Sequence, residues 1–281
     1  MNKIEFIQQK KAEIISQYGE WTNHNIQLAG DLYTIDKEAV TGAEVKLKRI
    51  VQMIADISGQ AFEKLRVLDL ACLEGLYGIE LALQGAKVVA IEARQANLEK
   101  ARLAKEALSL DNIEFIQDDV RNLSPEKYGR FDIVLCLGIL YHLDVPDVFH
   151  FLEQIGNVCK KIVIIDTHVS KQPEICYNYK NKKYWGSNYQ EVPNTVWSSL
   201  DNEKSFWLTR ASLYNMLWQC GFTSVYECHA PVVRKYEVMR IKQQADRTTF
   251  MAIKGKRVFL RSLPQINQWP ADDSLENQEL L

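Results

Sequence analysis

The stretch "RVLDLACLEGLYG", residues 66–78, decides how this chain folds. Strand-forming residues run into Asp69, small residues follow, and Gly75 opens an amphipathic stretch. A glycine there lets the following helix approach both a sheet and a ligand closely. The pattern is typical of a turn that cradles a nucleotide, although Ala71 and Leu73 stand where glycines are commoner. Taken alone, the stretch is equally compatible with an ordinary strand-to-helix turn.

Short apolar runs alternate with amphipathic stretches downstream of this turn. The rhythm predicts an α/β fold with a Rossmann-like, doubly wound and mostly parallel sheet, covered by helices on both faces. Ligands bind beyond the carboxyl ends of the strands in such sheets. The seven expected strands are 67–70, 88–91, 113–116, 133–137 and 162–165, with a final pair near 222–230 and 248–255.

Three further segments are expected around this core of residues 61–257. Residues 1–60 should form an N-terminal helical cap, with helices near 3–18 and 42–58. The rhythm breaks after the fifth strand, where residues 170–206 form a polar and very aromatic insertion that is expected to be a long loop. Residues 258–281 are expected to be a loosely attached C-terminal tail.

Composition limits the possible functions. The chain has 281 residues, 47% hydrophobic and 25% charged, and its net charge of −2 argues against global electrostatic coating of nucleic acid. Its six cysteines contain no C-x-x-C pair, so neither a disulfide framework nor a zinc cluster is expected. The charged N-terminus does not resemble a signal peptide, and no apolar run is long enough to span a membrane. These features predict a soluble, cytoplasmic protein.

Two more acids follow predicted strands. Glu92 ends the second strand, seventeen residues after Gly75, where a carboxylate accepts hydrogen bonds from both ribose hydroxyls of an adenosine ligand. In "FIQDDV", Asp118 or Asp119 sits at the tip of the third strand, where it could read an adenine amino group beside Val120. The fourth strand, "FDIVLCLGILYHLDVP", runs into a glycine and then Tyr141 and His142.

These motifs together resemble the class I S-adenosylmethionine-dependent methyltransferases over roughly residues 40–255. The segments "LGILYHLDVP" and "SFWLTRASLYNMLWQCGF" resemble the branch that contains the tRNA wobble-uridine carboxymethyltransferase and many small-molecule methyltransferases. The resemblance implies that S-adenosylmethionine is bound and S-adenosylhomocysteine (SAH) released. The implied cofactor-binding residues are Asp69, Ala71, Leu73, Gly75, Glu92, Ala93, Asp119, Val120 and Leu137.

A nicotinamide or FAD dehydrogenase is the main rival for a turn of this kind. Such enzymes place several glycines against the pyrophosphate, because a diphosphate requires free backbone amides. S-adenosylmethionine has no phosphate, so a leucine at position 73 is better tolerated in a methyltransferase.

Histidines at the strand tips are the candidate catalytic bases. Methyl transfer from a sulfonium requires alignment, exclusion of water and, for a hydroxyl or protonated amine, removal of a proton. His142 follows the fourth strand and His168 follows the fifth, and imidazole titrates in the useful range. Alternatively, His142 only packs beside Tyr141. No metal is expected, because no compact ligand cluster is visible in the sequence.

The aromatic insertion is expected to form an acceptor-binding lid, because it leaves the sheet beside the cofactor. A hydrophobic cluster under a long loop is the structural alternative. Within the lid, Glu191 and Asp201 could orient a polar group or an amine. The expected acceptor-binding residues are Tyr141, Trp185, Tyr189, Glu191, Trp197 and Trp207.

The sequence therefore predicts a methyltransferase acting on an O or N atom of a small, largely apolar or aromatic acceptor of the natural-product kind. The alternative is an RNA-modifying methyl- or carboxymethyltransferase, for which "YNYKNKKYW" would supply stacking aromatics and lysines. A protein that binds S-adenosylmethionine without catalysis is a third interpretation. The sequence does not indicate an oligomeric state or whether the donor is a modified S-adenosylmethionine.

Overall fold

A seven-stranded sheet forms the centre of the protein, and its strands lie side by side in the order β11 (Ser224–Cys228), β12 (Asp246–Ile253), β7 (Cys159–Val169), β6 (Phe131–Leu137), β3 (Arg66–Leu70), β4 (Lys87–Glu92) and β5 (Ile113–Gln117). The computed structural model describes residues 2–39, 42–192, 198–228 and 246–255. Five neighbouring strands pair in parallel, from β7 to β5, whereas β12 runs antiparallel to both β7 and β11. The predicted doubly wound, mostly parallel architecture is confirmed. The strand order reverses between β3 and β6, which places a ligand crevice beyond the carboxyl ends of these two strands.

The elements follow one another in the order that the sequence predicted for the core. The sheet strands are β3 (Arg66–Leu70), β4 (Lys87–Glu92), β5 (Ile113–Gln117), β6 (Phe131–Leu137), β7 (Cys159–Val169), β11 (Ser224–Cys228) and β12 (Asp246–Ile253). The helices are α1 (Lys3–Tyr18), α2 (Ala43–Ser58), α3 (Leu76–Leu83), α4 (Gln95–Ala107), α5 (Pro125–Tyr128), α6 (Asp147–Val158) and α7 (Arg210–Gln219). The N-terminal segment also contains a small hairpin of β1 (Gln27–Ala29) and β2 (Leu32–Tyr33).

Each face of the sheet has its own hydrophobic layer. Strand residues alternate between the layers, so that Ile133 packs with helices α1 to α4 and Val134 packs with α6 and α7. Both side chains are fully buried. Because both faces are covered, the central strands consist of nearly continuous Val, Ile and Leu, which is the pattern expected for a buried parallel sheet.

The insertion after β7 is a second sheet, and the expectation of a long loop was wrong. Strands β8 (Ile175–Tyr179), β9 (Lys182–Gln190) and β10 (Lys204–Leu208) pair antiparallel in the order β10-β9-β8. A two-residue turn joins β8 to β9, and its residues Lys180 and Asn181 have φ values of 49° and 63°. This is the left-handed geometry of a tight hairpin, and its asparagine was a usable signal.

The N-terminal residues pack on the core rather than forming a separate body. Both predicted helices are present as α1 and α2. Ile7 of α1 and Ile50 of α2 are buried in the same layer as the core residues of α3 and α4. The division into cap, core and tail stays a prediction, and residues 256–281 lie outside the described part of the chain.

In the part of the chain that the structure describes, no helix is both long enough and apolar enough to cross a lipid bilayer.

The turn between β3 and α3 yields a stability prediction. Gly75 has φ +87°, and a Cβ there would lie 3.0 Å from Ala101 Cβ and 3.1 Å from a ring carbon of Phe115. Gly59, at the end of α2, also has a left-handed φ of +62° but open space around it. Gly75→Ala adds overpacking to conformational strain, so we expect it to lose about 1–3 kcal/mol more than Gly59→Ala.

Urea denaturation of the two variants measures the difference directly. Equal losses of unfolding free energy would contradict the close packing of α3 against α4 at Gly75.

Candidate active site

The turn that follows β3 adopts the backbone that glycines usually provide. Ala71 and Leu73 have φ values of 51° and 52°, and Gly75 has 87°. Two non-glycine residues in the left-handed region cost about 1–2 kcal/mol each, and such strain clusters at ligand sites. The absence of glycine at positions 71 and 73 therefore leaves the path of the turn unchanged but raises its backbone strain.

Glu92 holds this turn from the tip of β4. Its carboxylate accepts hydrogen bonds from the amides of Leu73 (3.0 Å) and Arg94 (2.9 Å). The side chain is buried, and this burial raises the pKa of Glu92, against the opposing effect of the two amides. The predicted ribose acid thus lies directly against the predicted cofactor turn.

Glu74, which was not predicted from the sequence, joins the N-terminal segment to the same turn. Its side chain is 0% exposed. Its carboxylate accepts hydrogen bonds from the amides of Thr22 (2.7 Å), His24 (3.1 Å) and Asn23 (3.2 Å), and Lys100 lies 3.5 Å away. An acid between apolar residues of "CLEGLYG" was the available signal, because a carboxylate is buried only when it is hydrogen-bonded or paired.

The ring of His24 completes this contact. Its Nδ1 accepts the amide of Leu76, the first residue of α3, at 3.2 Å. Burial, with a smaller effect from Lys46, lowers the pKa of His24 to about 3, so the ring is neutral and can accept this bond. The N-terminal segment therefore covers the turn through one carboxylate and one imidazole.

Asp69 lies behind the turn. Its Oδ2 accepts the amide of Gly78 in the first turns of α3 at 3.0 Å. Burial raises the pKa of Asp69 to about 7, the Gly78 amide opposes this, and nearby Glu92 adds to it. The structure therefore places this carboxylate between β3 and α3, where it fixes the start of the helix.

The remaining predicted cofactor residues lie at neighbouring strand tips. Ala93 follows β4, and Leu137 ends β6. Asp119 follows β5, where its carboxylate accepts the amide of Arg121 at 2.8 Å and the Nε of Arg121 at 2.9 Å. Val120 is buried beside it. All nine predicted cofactor residues thus lie at the carboxyl edge of four adjacent strands.

His142 and Glu191 form a dyad that the sequence did not predict. The Nδ1 atom of His142 lies 3.0 and 3.1 Å from the two carboxylate oxygens of Glu191. Burial raises the pKa of Glu191, but the hydrogen bond and charge of His142 and the amide of Ser199 outweigh it and leave the pKa below its ordinary value. Glu191, expected to contact the acceptor, is instead engaged with the predicted base.

Two predicted acceptor residues, Trp207 and Tyr189, form a stack of rings with the candidate base His168. Trp207 lies between Tyr189 (centroids 4.5 Å apart) and His168 (4.7 Å), with interplanar angles of 14° and 13°. The Nε1 of Trp207 donates to the carbonyl of Tyr141 at 2.9 Å, and the Tyr141 ring contacts both His142 and His168. Tyr189 ends the stack with 43% of its surface exposed.

The two candidate bases differ in their surroundings. Burial, followed by the charge of Arg247, lowers the pKa of His168 to about 3, so its neutral ring is a poor proton acceptor. His142 is oriented by a carboxylate, which is the arrangement that leaves the other ring nitrogen free to accept a proton.

A buried ionic cluster lies next to these rings and was also missed. Asp166 of β7 accepts from Arg247 Nε (2.6 Å), Lys46 Nζ (3.0 Å) and Thr249 Oγ1 (2.9 Å). Burial would raise the pKa of Asp166, but Arg247 and Lys46 hold it well below its ordinary range. Arg247 also donates to the Tyr141 hydroxyl at 3.1 Å, so the cluster joins α2, β7 and β12 at the edge of the site.

The predicted acceptor residue Trp185 does not join the stack of rings. Trp185 lies on β9 with 42% of its surface exposed, and Trp197 falls outside the described residues. Within the described ranges, no group of three or more His, Cys, Asp or Glu side chains is arranged to hold a metal ion.

The mostly parallel sheet with helices on both faces is a Rossmann-like α/β fold. Residues 67–161 match the sequence profile of the family described as "Methyltransferase domain". This segment carries the turn, Glu92, Asp119 and His142. Over these residues the chain is therefore similar to the methyltransferase domain family.

Curated relatives match parts of the chain. A ubiquinone biosynthesis O-methyltransferase of Acinetobacter baylyi is 35% identical over 104 residues, which are 37% of this chain and 41% of that protein. The O-antigen chain terminator bifunctional methyltransferase/kinase WbdD of Escherichia coli is 25% identical over 173 residues, or 57% of this chain and 22% of WbdD. The chain thus spans less than half the length of these relatives.

Solved structures share the fold over most of the chain. The N-terminal domain of EvdMO1, crystallised in the presence of SAH and D-fucose, is 22% identical, with a TM-score of 0.69 over 91% of this chain and 98% of that domain. The magnesium protoporphyrin IX methyltransferase ChlM of Synechocystis, with bound SAH, is 18% identical with a TM-score of 0.54, over 76% and 84%. At these identities the similarity shows the fold alone.

The environment of Asp69 predicts a pH dependence of stability. Its pKa rises from an ordinary 3.8 to about 7 on folding, so the folded state binds this proton more tightly. This contribution is complete below pH 3.8 and is lost as the pH rises to about 7, at about 1.4 kcal/mol per unit. Asp69→Asn carries no such proton, so its unfolding free energy should fall less steeply between pH 4 and 7.

Urea denaturation of both proteins at several pH values gives the two slopes. Parallel slopes would show that Asp69 ionises normally in the folded protein.

Proposed function

We propose that this protein binds S-adenosylmethionine and transfers its methyl group to an O or N atom of a small acceptor. The observation that carries the proposal is the left-handed turn of Ala71, Leu73 and Gly75 held by the carboxylate of Glu92. Adenosine ligands use a carboxylate at this strand tip for the two ribose hydroxyls, and Glu92 has lone pairs left after its two amide bonds.

The backbone of the turn favours a cofactor without phosphates. The amide of Cys72 is bonded to Ile91 (3.0 Å), that of Leu73 to Glu92, that of Gly75 to Cys72 (2.9 Å) and that of Leu76 to His24. A pyrophosphate requires several such amides to be available at a helix N-terminus. These four are already used inside the protein, which supports S-adenosylmethionine over a dinucleotide.

Relatives support a small acceptor with a reacting oxygen. One matching relative is named as an O-methyltransferase of ubiquinone biosynthesis, and one structural neighbour was crystallised with D-fucose. The proposed acceptor wall is the stack of Tyr189, Trp207 and His168, because flat aromatic surfaces bind apolar or planar ligands. This wall belongs to the insertion, which we propose as the acceptor-binding element.

His142 is the proposed general base. Because the ionised Glu191 accepts the proton on Nδ1, the Nε2 atom keeps its lone pair for the acceptor. The cofactor supplies an already activated methyl group. As the acceptor oxygen forms its bond to carbon, its proton passes to Nε2, and the carbon–sulfur bond breaks with both electrons going to sulfur. His168 then serves as part of the wall rather than as the base.

Two of the aromatic rings that an RNA-modifying enzyme would use to stack on bases are packed within the protein. In "YNYKNKKYW", Tyr184 is buried and Tyr179 stacks on Phe149 with centroids 4.9 Å apart. Neither ring is available to a base. Lys180 is bonded to Glu153, and Lys183 lies six residues from Tyr189 along β9, about 20 Å at the rise of a strand. The alternative of an RNA-modifying enzyme therefore depends on a local lysine patch at that distance from Tyr189, and it is tested below.

Cofactor binding gives the first test of the proposal. Glu92→Gln should bind SAH at least about tenfold more weakly, because the ribose hydroxyls lose a charged acceptor. Glu114→Gln changes an exposed glutamate on the adjacent strand and should bind SAH as the wild type does. Calorimetric titration measures both, with thermal melting to confirm folding. Equal affinities in the two variants would remove Glu92 from the site.

Transfer of a labelled methyl group tests catalysis and the acceptor class together. The protein is incubated with methyl-labelled S-adenosylmethionine and either total RNA or a small-molecule extract. We expect label in the small-molecule fraction, and a loss of about 10²–10⁴ in rate for His142→Gln, with SAH affinity unchanged. Label in RNA would favour the alternative, and binding of SAH without any labelled product would favour a non-catalytic protein.

A further inference from the structure

A short segment of the insertion lies across the tips of three sheet strands. We name residues Ser198–Glu203 the strap. Arg94, two residues after Glu92, donates from Nη2 to the carbonyls of Ser198 (2.9 Å) and Ser199 (3.3 Å). The strap is therefore attached to the loop that directly follows the proposed ribose acid.

A second attachment lies at the proposed adenine side. The guanidinium of Arg121 bonds Asp119 and, through Nη2, the strap residue Asp201 at 2.9 Å. Asp147 of α6 also faces this guanidinium, at 3.7 Å from Nη1. Arg121 thus connects Asp119, the acid proposed to recognise adenine, to the strap. Its guanidinium lies among the three carboxylates of Asp119, Asp201 and Asp147.

The strap also contacts the dyad. The amide of Ser199 donates to Glu191 Oε2 at 3.1 Å, and Glu191 in turn holds His142. The side-chain amide of Asn202 donates to the carbonyl of His142 at 3.0 Å. The orientation of the proposed base therefore depends on the same six residues that are fixed by Arg94 and Arg121.

We infer that Arg94, Arg121 and the strap are positioning elements that couple occupancy of the adenosine pocket to the orientation of the His142–Glu191 dyad. This inference rests on the proposed function, because it takes Glu92 and Asp119 as adenosine ligands. A cofactor bound at these acids fixes the two loops that carry Arg94 and Arg121. The strap is then held more firmly, and with it the amide of Ser199 and the carboxylate of Glu191.

Two matched substitutions around Arg121 test the coupling. Asp201→Asn removes the strap carboxylate, and Asp147→Asn removes a carboxylate that faces the same guanidinium but lies on α6. The side chain of Asp201 is 59% exposed and that of Asp147 is 43% exposed, so the effects are modest. We expect Asp201→Asn to bind SAH about threefold more weakly and Asp147→Asn to bind it as the wild type does, as measured by calorimetry.

Two further measurements report on the strap and on the base. In the wild type, SAH should slow amide hydrogen exchange in peptides covering the strap, and it should shift the imidazole ¹⁵N signals of His142, assigned by comparison with His142→Gln. In Asp201→Asn at saturating SAH, the change in exchange should shrink and the His142 shift should be reduced. A purely structural contact would leave both signals unaffected by SAH.

The outcomes separate the two claims. Failure of the wild type to bind SAH would overturn the proposed function and this inference with it. Binding of SAH with equal affinity by both aspartate variants, together with strap exchange that SAH does not change, would overturn the inference alone.

Discussion

Two buried carboxylates fix the five-residue turn 71–75, on which the rest of this structure depends. Glu92, at the end of β4, accepts a hydrogen bond from the turn, whereas Glu74, within the turn, accepts hydrogen bonds from the N-terminal segment. The backbone of the turn is strained at Ala71 and Leu73, so it keeps its shape only because hydrogen bonds to these neighbours hold it in place. Since a carboxylate in an apolar layer is tolerated only when its oxygens are bonded, each acid also fixes the residues that donate to it. The proposed cofactor turn, the N-terminal helices and strand β4 therefore form one structural unit.

The chemistry at the opposite side of the crevice depends on a contact between distant parts of the chain. His142 follows the fourth core strand, and Glu191 directly follows β9, the longest strand of the inserted sheet. The short distance between them gives the imidazole a defined tautomer, which isolated histidine does not have. The ring stack on Trp207 then forms a wall beside the proposed base. Under the proposed function, core and insertion contribute different parts of the site, since the core would hold adenosine and the insertion would bind the acceptor.

The core and the adenosine side could be predicted because their signals are local. Alternating apolar runs specify buried parallel strands, and the acids at 69, 92 and 119 follow those strands directly in the sequence. Once the strands are parallel, their carboxyl ends must lie at one edge, so these residues must approach one another. The insertion was misjudged because its pattern mixes aromatic and polar residues without the period-two contrast of a half-buried strand. Its sheet is decided by packing of Tyr184, Phe206 and Leu208 on α6.

By itself, then, the sequence determined the doubly wound, mostly parallel sheet, the position of the proposed cofactor turn and the identity of the acids at the strand tips. Only the tertiary structure decided which of those groups are paired. Asp69 turns away to α3, Glu191 serves His142 rather than standing alone, and Asp166 is bonded by Lys46 and Arg247 from two distant elements. The physical reason is that burial makes an unpaired charge costly, and the partners that relieve this cost come from segments whose proximity no local pattern encodes.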